Sequence, residues 1–383
     1  MRPVVRPTHA VVDLARLVSN YRAIREHLAA SAGGAPPRVI AVIKANAYGH
    51  GAVAVARALE AAEAESGGVT LACADIEEGI ELREAGIQAP VLVFGALSVS
   101  DLEGVFRHRL TPTVSSPSAA RRLAAAAATR GRRLGVHVKV DTGMNRFGFR
   151  HDNLRRTIPA LGAGAGGPLR VEAVYTHFAT AESAGHPLFD RQRACFEAVR
   201  AVLSELGVRG VSCHAANSAA LLRDRRTWYE AVRPGLLLYG IVPPPLESAI
   251  PVRPVLSLRS RVVAVKGMRA GETAGYGARF AAPRAMRAAV VPAGYADGLD
   301  LRLAGAASVL VRGRRAPVIA VSMDSTIVDV TDVEVSPGDP VVIIGEQGGD
   351  SIDARELARV IGTVPHEILC RTGARIARVH QGL

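Results

Sequence analysis

Residues 38–51 read RVIAVIKANAYGHG, and the reading of the fold starts there. Val39, Ile40, Ala41, Val42 and Ile43 form a continuous apolar run rich in β-branched side chains. Such a run suits a strand buried on both faces, as in a parallel sheet. Lys44 stands at its carboxyl end, Gly49 and Gly51 break the pattern, and helical periodicity follows over 53–65. The chain thus places a lysine where a parallel strand opens into a loop, which is where α/β folds put their ligands.

That lysine is informative because lysine is rare here. Lys and Arg total 47, and only Lys44, Lys139 and Lys266 are lysine. Arginine serves wherever a plain positive charge is enough. It keeps its proton, whereas a desolvated lysine becomes a nucleophile or base.

Outward from this stretch, apolar runs alternate with helical patterns. Strands are expected at 39–43, 69–73, 90–94, 110–114, 135–140, 171–176, 211–214 and 235–239. Eight strands with intervening helices fit a (β/α)₈ barrel. The alternative is an open doubly wound sheet, and the lack of GxGxxG after the first strand weighs against it. Five prolines over 243–254 mark a linker. Beyond it, strand-like runs are separated by Gly, Asp and Pro, with one helical pattern at 354–360. The expected division is a barrel over 12–245 and a mostly β domain over 253–383, with residues 1–11 open to pairing with the second domain. A length of 383 residues suits two domains.

Composition excludes several classes. The net charge of +12 invites a nucleic-acid partner, but the arginines are scattered and aromatics are 4%, leaving few stacking platforms. No apolar run approaches the length of a membrane span, and the amino terminus has no apolar signal core. The four cysteines form no CxxC pair, so reduced thiols and a cytoplasmic location are expected. No clustered metal-ligand pattern occurs, so no metal is expected.

The unusual residues fall at strand ends. Lys44 follows strand one, and Lys139 with Asp141, Asn145 and Arg146 (KVDTGMNRFG) follows strand five. His177 (YTHFAT) ends strand six, and His214, Asn217 and Ser218 (HAANSAA) end strand seven. Arg233 and Gly235 (VRPGLLLYG) lie at strand eight. Singly, each has an ordinary reading: a core histidine, a helix cap, a turn residue. Together most of them define the carboxyl rim of a barrel. A lysine amine suggests a Schiff base, and amides and hydroxyls near Asn217, Ser218 and Gly235 suggest a phosphate cradle. Lysine, phosphate site and barrel point to pyridoxal phosphate.

The motifs AVIKANAYGHG, KVDTGMNRFG, YTHFA, HAANSAA, RPGLLLYG, AGYGARF, PAGYADG and SMDST together resemble the bacterial, pyridoxal-phosphate-dependent alanine racemases, from residue 39 to about 325. The resemblance implies interconversion of L- and D-alanine, supplying D-alanine for peptidoglycan. It implies that Lys44 anchors pyridoxal 5'-phosphate and serves as one base. Tyr276 would be the opposing base, acting in the partner subunit's site of a homodimer. Arg233 would face the pyridine nitrogen. Tyr48, His177, Asn217, Ser218, Gly235 and Leu236 would surround the cofactor. Arg146 and the backbone of Met323 would hold the substrate carboxylate, Lys139 would be carbamylated, and Tyr295 would narrow the entrance. A phenol must lose its proton to act as a base, and positive neighbours favour that. His177 and nearby arginines are the expected neighbours.

The resemblance also sorts the rivals. Small barrel carriers of the same cofactor lack a β domain and its tyrosine. A decarboxylase of this architecture would offer a cysteine and acidic groups in place of Arg233 and Tyr276. The carboxyl-terminal stretch VPHEILCRTGARIARVH departs from the family pattern: His366 stands where a tyrosine is usual, and Ala374 precedes Arg375 where some members have one. That leaves a serine or broad-specificity racemase as the alternative.

Overall fold

The computed structural model describes residues 5–64, 68–97, 99–161 and 167–382. Residues 1–4 and the expected helix end at Glu65 lie outside them.

Eight parallel strands close on themselves. They are β1 (Arg38–Val42), β2 (Thr70–Cys73), β3 (Val91–Val93), β4 (Thr111–Val114), β5 (Leu134–Asp141), β6 (Leu169–Tyr175), β7 (Ser212–Asn217) and β8 (Ala231–Arg233). Each pairs with the next, and β8 pairs back onto β1. Helices join them. Ile40, Ala72, Leu92 and Ala231 pack together, with Phe94 against them, as one buried cluster contributed by β1, β2, β3 and β8. The barrel is therefore a filled core, so ligand chemistry belongs at its rim.

One expected strand is corrected. Residues 235–239 are a turn, and the eighth strand is Ala231–Arg233. Pro234 ends the strand, and Leu238, Tyr239 and Gly240 donate to the carbonyls of Gly235, Leu236 and Leu237. Leu236, Leu237 and Leu238 are all buried, so no periodicity distinguished a turn from a strand. Arg233 accordingly ends its strand and joins the carboxyl rim.

After the linker the chain builds a second, ten-stranded sheet. The amino-terminal strand His9–Asp13 belongs to it, antiparallel to Leu256–Arg261 and parallel to Ala377–Gln381. A second helix, Pro365–Cys370, follows Ala354–Ile361. Six residues give it little sequence signal beyond Pro365 at its first turn. Asn20 ties the linker down, donating to the carbonyls of Leu238 and Arg253 and accepting from the Arg253 amide. A single buried apolar cluster runs from Leu17 in the first helix through the barrel to Ile343 in the second sheet. The two domains therefore share one core within the chain.

Candidate active site

Lys44 starts a turn of unusual hand. Ala45, Asn46, Ala47 and Tyr48 have φ of 52°, 52°, 54° and 52°. Left-handed backbone disfavours each such residue by roughly 1–2 kcal/mol, so four in succession must be held by their surroundings. Glu78 does part of this. Its Oε1 accepts from the Ala45 amide and its Oε2 from the Ala74 amide, both at 2.6 Å. In sequence Asp75 and Glu78 have the spacing of a helix capping box. Asp75 does cap the helix, accepting from the Glu78 amide at 3.0 Å, while the Glu78 carboxylate turns to the lysine's loop.

The turn lines a cavity of about 470 Å³ at the carboxyl rim. Lys44, Tyr48, Lys139, Arg146, His177, Asn217, Ser218, Arg233, Gly235 and Leu236 all border it, as does His366. Two of the three lysines are thus brought together, while Lys266 lies exposed on the β domain. Asp141 Oδ1 gathers the amides of Gly143, Met144 and Asn145 at 2.9–3.1 Å and so shapes the loop that carries Arg146.

Arg233 is buried, and among the described residues no carboxylate lies beside it. Its Nη1 donates to His214 Nδ1 at 2.7 Å, and its Nη2 donates to the carbonyls of Thr176 at 2.7 Å and Ala215 at 2.9 Å. Burial lowers it to about 10, so it stays protonated at neutral pH. A guanidinium only donates. His214 therefore accepts at Nδ1 and keeps its proton on Nε2, which faces His137 Nδ1 at 3.1 Å. Tyr175 stacks on His214 at 4.7 Å, with the Lys139 ammonium 5.0 Å from its ring centre. Burial, reinforced by Arg233 and Arg146, brings the Lys139 amine down to about 7. Burial and then Arg146 also lower Lys44.

Burial, followed by the charge of Arg233, holds His177 well below its ordinary value. The expectation that His177 supplies positive charge is therefore corrected: burial favours its neutral imidazole, and the lasting positive charge is that of the arginines.

Buried neutral imidazoles also predict how the fold responds to acid. His50 is lowered to about 4 and His137 to about 3, and His214 lies well below 6.5 with His177, all chiefly through burial. The unfolded chain takes up these protons below pH 6.5 and the folded chain does not, so stability falls as pH drops from 6.5 towards 4. Each group adds up to about 1.4 kcal/mol per pH unit to that slope. Urea midpoints at pH 7, 6 and 5 should decline steadily, and a flat profile would contradict the assignment of neutral rings.

Three residues from the expected site do not reach this cavity. Tyr276 is 81% exposed, Met323 50% and Tyr295 42%, all on the β domain. Tyr295 and Met323 are neighbours: the Tyr295 amide donates to Ser322 O and the Ala296 amide to Met323 O. Ala374 is also absent from the lining. Arg375 beside it is drawn to Asp297 at 3.2 Å and Asp324 at 2.6 Å. His366 does line the cavity, its ring 5.7 Å from that of Tyr48. Sequence reasoning passed over Glu78, Tyr175 and His137. Only Tyr175 had a signal, as the first residue of YTHFAT.

The family "Alanine racemase, N-terminal domain" matches residues 12–243, and "Alanine racemase, C-terminal domain" matches 255–380. The chain belongs to the alanine racemase family. The alanine racemase of Symbiobacterium thermophilum is 40% identical over 388 residues, covering 99% of this chain and 98% of that protein. The crystal structure of alanine racemase from a D-cycloserine-producing Streptomyces lavendulae superposes with a TM-score of 0.90 at 32% identity, covering 100% and 98% of the two chains. An alanine racemase from Bartonella henselae, solved with covalently bound pyridoxal phosphate, gives 0.84 at 28%, covering 98% and 99%. As an alanine racemase family member the chain is an enzyme, an amino acid isomerase. Among the described residues no helix is long and apolar enough to cross a membrane, and no three His, Cys, Asp or Glu side chains are grouped to hold a metal ion.

Proposed function

We propose that the chain interconverts L- and D-alanine with pyridoxal 5'-phosphate anchored on Lys44, as a cytoplasmic homodimer that supplies D-alanine for peptidoglycan. The observation that carries the reading is the pairing, on one cavity, of a desolvated lysine amine with a buried arginine that, among the described residues, has no carboxylate partner.

The donor set suits the cofactor. Ser218 Oγ accepts from the amides of Gly235 at 2.9 Å and Leu237 at 3.3 Å, fixing a loop beside Tyr48. A Cβ on Gly235 would stand 2.5 Å from the Tyr48 hydroxyl, so a side chain there would push that hydroxyl aside. Tyr48, Asn217, Ser218, Gly235 and Leu236 would hold the phosphate, with His177 beside the ring. Arg146 and Arg233 give the cavity fixed positive charge that matches a phosphate and a carboxylate. Bound there, the cofactor would draw electrons from the substrate's Cα and make its hydrogen acidic. Arg233 cannot give up a proton to the ring nitrogen, which limits that withdrawal and favours racemisation over transamination.

The chain's own groups then take one proton and return another. From the D-enantiomer, Lys44 Nζ takes the proton from Cα and the partner subunit's Tyr276 hydroxyl gives one to the opposite face; from the L-enantiomer the roles reverse. Two bases on opposite faces need no rotation of the substrate. Arg146 and the backbone of the partner subunit's Met323 hold the substrate carboxylate, and the partner subunit's Tyr295 narrows the entrance.

Lys139 is proposed to be a carbamate. At about 7 its amine is partly neutral at physiological pH, the form that adds carbon dioxide. Forming the new N–C bond releases one amine proton to solvent and leaves an anion that can accept from the Arg146 guanidinium. Crystals grown with bicarbonate should show carbamate density on Lys139, and a bare amine would count against it.

The test of the activity is a D/L interconversion assay on alanine and on serine with added cofactor. Alanine turnover exceeding serine is expected. Serine turnover equal or greater would favour the broad-specificity alternative, for which His366 on the cavity wall is the structural reason.

A further inference from the structure

The left-handed turn is restrained from two ends of the chain. Within the barrel, Glu78 holds the Ala45 amide, and Asn46 Oδ1 accepts from the Ala52 amide at 2.8 Å. His50 Nδ1 lies 2.9 Å from the carbonyls of both Ala47 and Tyr48, its ring stacked on Tyr239 at 4.3 Å.

The second set comes from the last strand, some 330 residues away. Arg378 Nε donates to Gly49 O at 3.0 Å. Its terminal nitrogens are fixed in turn by the carbonyls of Gly373, Ile376 and Thr372 at 2.7–3.0 Å. His380 Nε2 donates to His50 O at 2.9 Å. Gly49 and Gly51 have φ of 80° and 98°, which alone call for glycine, and residues 369–380 pack directly against both. A Cβ on Gly51 would meet His380 Nε2 at 2.6 Å, and one on Gly49 would collide with the Leu369 carbonyl. The two glycines of AYGHG that the function did not absorb are therefore docking positions for residues 369–380.

We propose that Arg378 and His380 are positioning residues for Lys44: they clamp the carbonyls of Gly49 and His50 and so keep the turn that presents the lysine to the cavity. The proposal rests on Lys44 as the cofactor's anchor. Neither residue lines the cavity, so each acts through the backbone. Cofactor retention then depends on the β domain being docked on its own barrel.

The test uses full-length His380→Phe, His380→Gln and Arg378→Ala beside the unaltered enzyme. Cofactor release from the holoenzyme into an aldehyde trap is followed by absorbance, and amide exchange is followed in the same proteins. His380→Phe should release cofactor about tenfold faster and exchange the amides of 47–51 about tenfold faster, as expected for loss of one such hydrogen bond, and Arg378→Ala, which loses four, should do so by at least as much. The strand Ser308–Val311 should exchange as before. His380→Gln, whose side-chain amide still donates, should stay within about threefold of the unaltered enzyme. Unchanged exchange at 47–51 in both His380→Phe and Arg378→Ala would overturn the clamp. Faster exchange with unchanged cofactor release would overturn its link to Lys44. Exchange raised evenly across the β domain would mean a general structural role and overturn it too. Failure of the Lys44 reading itself would show in the unaltered enzyme, as the absence of covalent cofactor.

Discussion

Lys44→Ala should abolish racemisation and remove the absorbance of covalently held cofactor. The substitution deletes both the anchor and one base, and a single positioned base alone is worth roughly 10²–10⁴ in rate. The fold should survive, because the restraints on the turn act on residues 45–51 and none uses the lysine side chain. Borohydride reduction followed by peptide mapping checks the outcome. A reducible covalent cofactor in Lys44→Ala would move the anchor to Lys139, the other lysine on the cavity.

Tyr276→Phe should separate the two directions of the reaction. The change removes the phenol oxygen from a side chain that is 81% exposed in the single chain, so stability and cofactor absorbance should hold. In deuterium oxide, D-alanine should still lose its α-hydrogen through Lys44. Exchange from L-alanine and net racemisation should fall by about 10²–10⁴, the worth of one general base. Equal loss of exchange from both enantiomers, with cofactor retained, would refute the two-base assignment.

The legible parts of this molecule were those with local chemical signatures. The apolar run 39–43 could hardly be anything but a buried segment, and the lysine at its end stood out because arginine had displaced lysine elsewhere. Lys44, Lys139 and Arg146 were placed on one rim because strand ends in a barrel converge there, whereas Arg233 joins them only with the eighth strand at Ala231–Arg233. The turn after Lys44 was not legible, since Ala45, Asn46, Ala47 and Tyr48 carry no preference for positive φ comparable to glycine's. Its causes are distant: Glu78 across the β2 loop, and Arg378 and His380 at the end of the chain. The eighth strand was misplaced because a buried turn and a buried strand share the same apolar composition. The charge state of His177 needed burial, which the sequence did not give. Tyr276 was singled out by resemblance alone. Its exposure on the β domain, away from the cavity of its own chain, is the feature that a shared site would explain.

Mixing Lys44→Ala with Tyr276→Phe subunits tests that sharing most directly. Each homodimer lacks one base at both sites. In a heterodimer with crossed sites, one site lacks both bases and the other keeps Lys44 from one subunit and Tyr276 from its partner. After unfolding, mixing in equal amounts and refolding, activity should rise to about a quarter of the unaltered enzyme, since about half of the dimers would each carry one intact site. Activity no higher than that of the two parents, with heterodimers shown to have formed, would contradict a site shared between subunits.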